Sequence, residues 1–439
     1  YPKTISKDID LAFAAGADAI FIPCEDEIFP KNENKIEYQK ASEDLSKTLC
    51  GISRKGHFDG VCTVVYRLIE IVQPKAIFLG EKDWQQLLII KEMVVRHKIK
   101  VAIKSIDTQR DIDGVPFSSR NNLLLKDERE KLKFFSAELF HAKQIFDQTK
   151  NISLKKIIKR LKDKDILIEY LEHVNAFNLK RSTSKMNITM LAGAIKCGNT
   201  RLIDHVFLMK RNPIIAIDGP AGSGKSTVSK LIAKKLKFIF LDTGAMYRAL
   251  SWYLIEKKIN YENRKELSSC LSNISITFKS VDGSKQNVII NNHNVTEKIR
   301  TQEISSIVSS IASIKEVREF LVTEQRKIGE TGGLVAEGRD IGSKVFPNAE
   351  LKIFLTATIN ERARRRKNEL EAMGYGTINF EKLKNEIEQR DFDDSNREIS
   401  PLVKSKTAIE IISDGYSINE IVEKILEIYL EIIPKELHL

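Results

Sequence analysis

Three groups of residues in this chain of 439 residues have the types and spacing to do chemistry. The most definite is Gly219, Gly222 and Gly224 with Lys225, Ser226 and Thr227 directly behind them, the spacing G-x-x-x-x-G-K-S. Glycines let backbone N–H groups curl around a phosphate that also sits on the positive end of the next helix. Lys225 would then reach the β- and γ-phosphates of a nucleoside triphosphate, and the Ser226 hydroxyl would hold Mg²⁺. A glycine-rich turn with a chance Lys-Ser is the alternative. An apolar run before it (Ile214 to Ile217) and helical spacing after it (Val228, Leu231, Ile232, Leu236) separate the two readings.

A second group follows further apolar runs of the same half. Phe238 to Leu241 ends in Asp242, Thr243, Tyr247 and Arg248, which could face a small acceptor across from the phosphate loop. Asp242 or Thr243 would equally well cap the following helix. Glu337, Arg339 and Asp340 come directly after an apolar strand, where polar groups of an open α/β sheet gather at a ligand. Arg362, Arg365 and Arg366 fall at i, i+3 and i+4 and share a helix face. A solvated charge stripe is the ordinary meaning of that pattern, but beside a triphosphate loop it suits a lid that closes over phosphate charge. Arg390, Asp394 and Arg397 lie in a segment too charged for core. No acid or glutamine is placed to orient an attacking water, so transfer to a bound acceptor is expected over hydrolysis.

The third group lies in the first half. Gly80, Glu81, Lys82, Asp83 and Gln86 stand between the apolar run 75–80 and a helical pattern carried by Leu87, Leu88, Ile90 and Val94. That is the usual ligand crevice of a doubly wound sheet, although acids at a helix start also suit the helix dipole. Ser118, Ser119 and Arg120 combine two hydroxyls with a guanidinium, as an anion site does; a polar loop is the plainer reading. His57 sits in a glycine-bracketed loop, and a lone loop histidine is more often a surface residue than a catalyst.

Placing these groups takes strands that end beneath them and helices that start there. The patterns predict strands at 75–80, 214–217, 238–241 and 351–358, an α/β chain. Pro213 disfavours helix at Asn212, so the joint between two units near residue 211 is short and extended.

The apolar fraction of 42% supports real cores, and the length suggests roughly two to four domains. Five cysteines (Cys24, Cys50, Cys62, Cys197, Cys270) stand apart without a C-x-x-C pair, against a zinc knuckle or disulfide framework and in keeping with a reducing, cytoplasmic setting. No apolar stretch approaches the ~18 residues of a membrane span. The net charge of +11 is spread along the chain, densest at 154–165 and without interleaved aromatics. Small anionic substrates, rather than nucleic acid or a membrane, are the expected partners.

In the second half, "IDGPAGSGKST", "LDTGAMYR", "IRTQEISS", "VAEGRDIGSKVFP" and "RDFDDSNREISPL" occur in this order and together resemble bacterial cytidylate kinase. The resemblance implies a P-loop nucleoside monophosphate kinase fold over 212–435, with a nucleotide-binding insert near 270–330 and a lid near 360–376. It implies ATP contacts from Gly219, Gly222, Gly224, Lys225, Ser226 and Thr227, with Ser226 on Mg²⁺. CMP contacts would come from Thr243, Arg248, Ser309, Arg318, Arg339, Asp340, Arg390, Asp394 and Arg397. Lys225, Asp340, Arg362, Arg365 and Arg366 would carry the catalysis, and dCMP should be accepted beside CMP. In-line phosphoryl transfer would rest on positioning and cationic stabilisation.

In the first half, "YPKT", "GHFDGVCTVV", "QPKAIFLGEKDWQQL", "DGVPFSSRN", "IEYLE" and "GNTRLIDH" resemble pantothenate synthetase, the ligase that joins pantoate to β-alanine. The resemblance implies a Rossmann-like nucleotidyltransferase-type unit at 1–110 and a small α+β subdomain at 111–209. ATP would adenylate pantoate, and the β-alanine amine would then expel AMP. Lys82 would be catalytic; Gly80, Lys82, Asp83, Ser118, Ser119 and Arg120 would line the ATP site, and Gln86 would bind pantoate. Family members begin with a further stretch carrying an HxGH-like signature, which this chain lacks. Truncation ahead of "YPKT" is therefore expected, leaving open edges on the parallel sheet. The whole is expected to be a bifunctional enzyme, with a homodimer formed through its first unit. The competing class is a kinase, or a P-loop switch, attached to a non-catalytic ligase-like scaffold.

Overall fold

The computed structural model describes residues 4–30, 38–183, 186–281, 285–372, 374 and 376–438. The first three residues of the "YPKT" block, positions 282–284 of the expected insert and positions 373 and 375 of the expected lid lie outside them. The chain divides into two compact units, Tyr1–Leu208 and Met209–Leu439. No helix among the described residues is long and apolar enough to cross a membrane.

In the first unit, α1 (Ile5–Ala14) buries none of its residues. Helices α2 (His57–Val72) and α3 (Trp84–Arg96) pack together, and α3 also packs on β1 (Ala76–Gly80) of a two-stranded parallel sheet completed by β2 (Ala102–Ile106). Leu87, Ile90, Met93 and Val94 form the buried stripe of α3, the spacing of an amphipathic helix. Helices α4 (Lys126–Thr149) and α5 (Leu154–Lys162) then cover a three-stranded antiparallel sheet ordered β3 (Leu167–Asn175), β4 (Ile188–Cys197), β5 (Thr200–Met209). The basic run at 154–165 is thus largely helical, with Ile157 and Leu161 buried. Phe135, Leu139 and Phe146 share a core with Leu191 and Ile195 of β4. The two parts meet at Trp84, whose indole N–H donates to the Ala176 carbonyl at 2.5 Å while its ring meets Phe207 edge-on at 4.8 Å. The first turn of α3, just after Lys82 and Asp83, is anchored by that contact.

The second unit is built on a wholly parallel five-stranded sheet ordered β13 (Ile409–Ile412), β12 (Leu351–Thr356), β6 (Ile214–Asp218), β11 (Leu334–Gly338), β7 (Ile239–Asp242). All five residues of β6 are buried, as a sheet covered on both faces requires. Helix α6 (Lys225–Leu236) follows β6 and α7 (Thr243–Glu256) follows β7. Next come a small antiparallel sheet of β8 (Ile276–Val281), β9 (Lys285–Ile290) and β10 (His293–Asn294), then α8 (Gln302–Ser313) and α9 (Lys315–Ile328). Strand β12 leads into α10 (Ile359–Ala372) and α11 (Phe380–Asn396); α12 (Ile418–Ile432) follows β13. With β6 central, β7 and β11 lie on one side of it and β12 and β13 on the other. The carboxyl ends of β6 and β11 therefore form a topological switch point, where open α/β sheets bind ligands.

Candidate functional site

The phosphate loop leaves the end of β6 at Gly219, where a Cβ would fall 2.0 Å from the Leu355 carbonyl oxygen, so only glycine fits. Lys225 is buried, and its Nζ donates to the Pro220 carbonyl at 2.6 Å and lies 3.4 Å from the Ser223 hydroxyl. Burial, and then the Arg339 guanidinium, push its ammonium down; phosphate in the loop would reverse that balance. Ser226 and Thr227 are exposed on the first turn of α6.

Behind the loop stands Glu337, a buried carboxylate on β11 that Ser226 hydrogen-bonds. Burial, and then the charge of Asp242 opposite it in register, push Glu337 up to about 7. Asp242 accepts the Ala245 N–H at 2.8 Å as the cap of α7, and it pairs with Arg248 at 3.1 Å. Thr243 donates to the Glu337 carbonyl at 2.7 Å.

Strand β11 also delivers the polar group next to the loop. Arg339 donates to the Gly219 carbonyl at 3.0 Å and to Asp394 at 2.8 Å. Asp340 pairs with Arg318 at 2.8 Å, both side chains buried. Arg397 reaches Asp394 at 3.5 Å and the Ser400 carbonyl at 2.5 Å. Arg390 lies among Arg339, Arg248 and Arg366. Desolvation by the surrounding protein, and then those charges, push its guanidinium down, with Asp394 opposing, although the side chain keeps an open face to solvent. Guanidinia outnumber carboxylates here, and two buried donors, Nε of Arg318 and one terminal nitrogen of Arg397, find no acceptor among the described residues. Orphaned donors in a cationic cleft are what a bound anion or nucleotide would satisfy. Ser309 is exposed on α8.

The three arginines of α10 do not share one environment. Arg362 is 3% exposed; it donates to the carbonyls of Ala357 and Ala221, each at 3.1 Å, and pairs with Asp391 at 2.5 Å. It braces the phosphate loop rather than standing free on a lid. Arg365 bonds Glu361 at 2.8 Å and both oxygens of Ser413, and one of its nitrogens would come within 3.8 Å of a Cβ at Gly224. Arg366, exposed, pairs among the described residues with its helix neighbour Glu369 at 2.7 Å.

Sequence patterns did not single out Asp218. Its two carboxylate oxygens accept the backbone N–H groups of Ile341 and Gly342, each at 2.7 Å. It therefore ties the residue before the phosphate loop to the residues after Arg339 and Asp340. Asp391, the partner of Arg362, was missed for the same reason: both act across more than a hundred residues or between helices, where no local spacing can reveal them.

In the first unit a cavity of about 210 Å³ is lined by Lys82, Asp83, Gln86, Ser118 and Arg120. Gly80 closes β1 just ahead of them, and Ser119 faces an adjoining groove. Ser118 accepts the Arg120 N–H at 3.3 Å, and Arg120 donates to the Arg201 carbonyl at 3.1 Å. A bidentate pair of Arg110 with Asp204, at 2.9 and 2.8 Å, and a bond from Ser136 at 2.7 Å fix β5 behind the cavity. His205 lies in that wall, pushed down to about 4 by burial. Arg201 is held by Glu169 through bonds of 2.8 and 2.9 Å, and Glu169 is held below its ordinary range, first by that guanidinium. His57, which its loop suggested was a surface residue, is on the cavity wall together with Arg54.

Comparison with known proteins divides the chain in the same two halves. A family model of pantoate-beta-alanine ligase matches residues 1–207, and one of cytidylate kinase matches residues 215–431. The chain is 63% identical over 436 residues to "Bifunctional pantoate ligase/cytidylate kinase" of Prochlorococcus marinus (strain MIT 9215), covering 99% of this chain and 86% of that relative. It is 64% identical over 439 residues to the protein of the same name from Prochlorococcus marinus subsp. pastoris (strain CCMP1986 / NIES-2087 / MED4), covering 100% and 86%. A solved pantothenate synthetase from Thermus thermophilus is 29% identical and covers 47% of this chain and 75% of its own, with a TM-score of 0.43. Two enzyme families meeting end to end along the whole chain, in the order of relatives sharing most of its residues, place it in the bifunctional pantoate ligase/cytidylate kinase family.

Proposed function

We propose that the second unit phosphorylates CMP and dCMP from ATP, and that the first condenses pantoate with β-alanine through a pantoyl adenylate, releasing AMP and diphosphate. The kinase reading is carried by the two orphaned arginine donors, on Arg318 and Arg397, standing beside a phosphate loop. Gly219, Gly222 and Gly224 would cradle the ATP phosphates, and Lys225 would exchange its bond to Pro220 for phosphate oxygens. Arg339, Arg390 and Arg397 would orient the CMP phosphate, with Asp394 on the sugar or base, Asp340 holding Arg318, and Thr243 and Arg248 closing the acceptor side. Arg365 and Arg366 would neutralise charge on the transferring group, the main catalytic term in phosphoryl transfer.

Mg²⁺ fits this donor set. Ser226, Glu337 and Asp242 would offer hard oxygen ligands, and the charge of Asp242 disfavours ionisation of Glu337, a repulsion that a cation would relieve. Among the described residues no group of three acidic or imidazole side chains forms a metal cage, which accords with an ion held largely by substrate phosphates. When bound, it supplies charge neutralisation at the β- and γ-phosphates.

In the first unit Lys82, Ser118, Ser119 and Arg120 would hold ATP phosphates and Gln86 the pantoate, with Gly80 and Asp83 lining the nucleotide. The cavity that gathers Lys82, Asp83, Gln86, Ser118 and Arg120 supports this reading. The test is product analysis of the full chain with ATP and Mg²⁺. ADP is expected when CMP is added, and AMP only when pantoate and β-alanine are both present. ADP formation independent of CMP would overturn the kinase half, and AMP formation independent of pantoate would overturn the ligase half.

A further inference from the structure

Arg54 and His57 line the cavity of the first unit but belong to none of the groups assigned so far. They bracket Gly56, whose φ of +74° favours glycine. The His57 N–H donates to the Arg54 carbonyl at 3.2 Å, closing a turn from which both side chains reach the cavity wall. Gln85 fixes the stretch that leads into this turn. Buried on the first turn of α3, it accepts the Cys50 N–H at 3.1 Å and donates to the carbonyls of Leu45 and Thr48, each at 2.8 Å. The segment that carries Arg54 and His57 is thereby tied to the helix that opens directly after Lys82 and Asp83.

The charge balance leaves these two residues available. Glu169 is committed to Arg201, and among the described residues no acid pairs with Arg54. Arg54 also lines the adjoining groove with Ser119, Arg120 and Thr200. It therefore stands at the junction of the cavity and the groove, a position from which it would meet a second substrate entering through the groove once the first is adenylated. That second substrate is an ω-amino acid, a zwitterion. It needs a cation for its carboxylate and a neutral base for its ammonium, since only the free amine attacks a carbonyl.

We infer that Arg54 and His57 form the acceptor subsite of the ligase half, Arg54 holding the carboxylate of the amino-acid acceptor and His57 taking a proton from its ammonium group. The inference rests on the adenylation reading given above. The groups facing His57 are Arg54, Arg201 and Arg120, with Asp83 opposing them; Lys82 and His205 share the cavity. Burial first, and then those guanidinia, favour the neutral imidazole that a proton acceptor requires. His205 is a poorer candidate, because its ring is enclosed against Phe207 at 4.9 Å. In the condensation the first ammonium proton passes to the imidazole, and the nitrogen lone pair forms the C–N bond to the acyl carbon. The C–O bond to the adenylate phosphate breaks with its electron pair leaving on AMP, the second nitrogen proton departs with that phosphate, and the imidazolium returns its proton to solvent.

Two half-reactions separate the possibilities in the full chain. Pantoate-dependent exchange of labelled diphosphate into ATP reads adenylation alone, and β-alanine-dependent AMP release reads both steps. H57Q is expected to slow AMP release by about a hundredfold while exchange persists. R54A is expected to raise the KM for β-alanine by about tenfold or more with a smaller change in kcat, and R54K to recover part of that loss. Exchange falling in step with AMP release in both variants would overturn the inference, since the residues would then serve the nucleotide. Absence of exchange in the parent chain would instead defeat the adenylation reading. The subsite is then judged by the NMR line broadening of carboxyl-labelled β-alanine: broadening that R54A abolishes sustains it, and no broadening, or the same broadening in R54A, overturns it.

Discussion

Arg318 and Asp340 form an ion pair of 2.8 Å with side chains only 5% and 7% exposed. Desolvating two charges costs several kcal/mol for each ion, and mutual attraction offsets that cost only while both are present. D340A therefore strands a buried guanidinium and should destabilise the second unit by about 3–5 kcal/mol. Replacing both partners, R318M with D340L, should cost far less stability and still abolish CMP-dependent ADP formation. Urea unfolding beside the kinase assay measures the two effects apart. A double variant as unstable as D340A would show that the pair is not what holds this region.

The arginines of α10 should divide by burial. R362A removes the brace between α10, the Ala221 carbonyl and Asp391; it should cost about 3 kcal/mol in stability and raise the KM for ATP. Among the described residues R366A removes an exposed ion pair, worth about 0–1 kcal/mol. It should leave the melting temperature nearly unchanged while lowering kcat by about 10²–10³. The reverse pattern would mean that Arg366 is structural and Arg362 the mobile arm.

These two cases show what the sequence made legible. The phosphate loop, its strand and its helix were readable because glycine spacing, an apolar run and helical periodicity all fall within one stretch, and the α/β class followed from several such runs. The i, i+3, i+4 spacing of the three arginines does fall within one helix, α10. It could not show that Arg362 is consumed by Ala357, Ala221 and Asp391, because the partners come from other elements. The binding of Ile341 and Gly342 by Asp218 depends on the parallel register of β6 and β11, which no single segment encodes. His57 was read by its loop alone, and the cavity it lines is assembled from segments far apart in the chain.

Glu337 gives a pH signature. Its carboxyl is raised from 4.5 to about 7, so the folded chain binds that proton more tightly than the unfolded one. The stabilisation is complete below about 4.5 and is lost as pH rises through 7, at up to about 1.4 kcal/mol per pH unit. E337Q stays neutral throughout. At pH 8 it should therefore melt above the parent chain, and this gap should close toward pH 5. MgATP binding should respond in the opposite sense, since the ionised carboxylate favours the cation: affinity in the parent should weaken below about pH 7, and E337Q should be weak at every pH. Thermal melts and calorimetric MgATP titrations from pH 5 to 8 test both. A pH-independent stability difference would mean that Glu337 is ionised in the free protein.

Asp394 joins Arg339, at 2.8 Å, to Arg397, at 3.5 Å. Burial acts to raise its carboxyl, but Arg339 and then Arg397 hold it below its ordinary range. It is therefore a fixed anion that keeps two guanidinia apart and oriented while Arg390 crowds them from the side. D394A should let these cations repel and swing outward, raising the KM for CMP and dCMP by about tenfold or more, a loss of roughly 1.4 kcal/mol of binding. The ATP site should be spared, because Lys225 and the loop glycines do not contact Asp394, although Arg339 also donates to the Gly219 carbonyl. D394N, of the same shape, should recover orientation but not charge and fall between the two. Calorimetric ATP affinity beside the KM values decides the matter: weaker ATP binding with unchanged CMP use would place Asp394 on the donor side of the cleft.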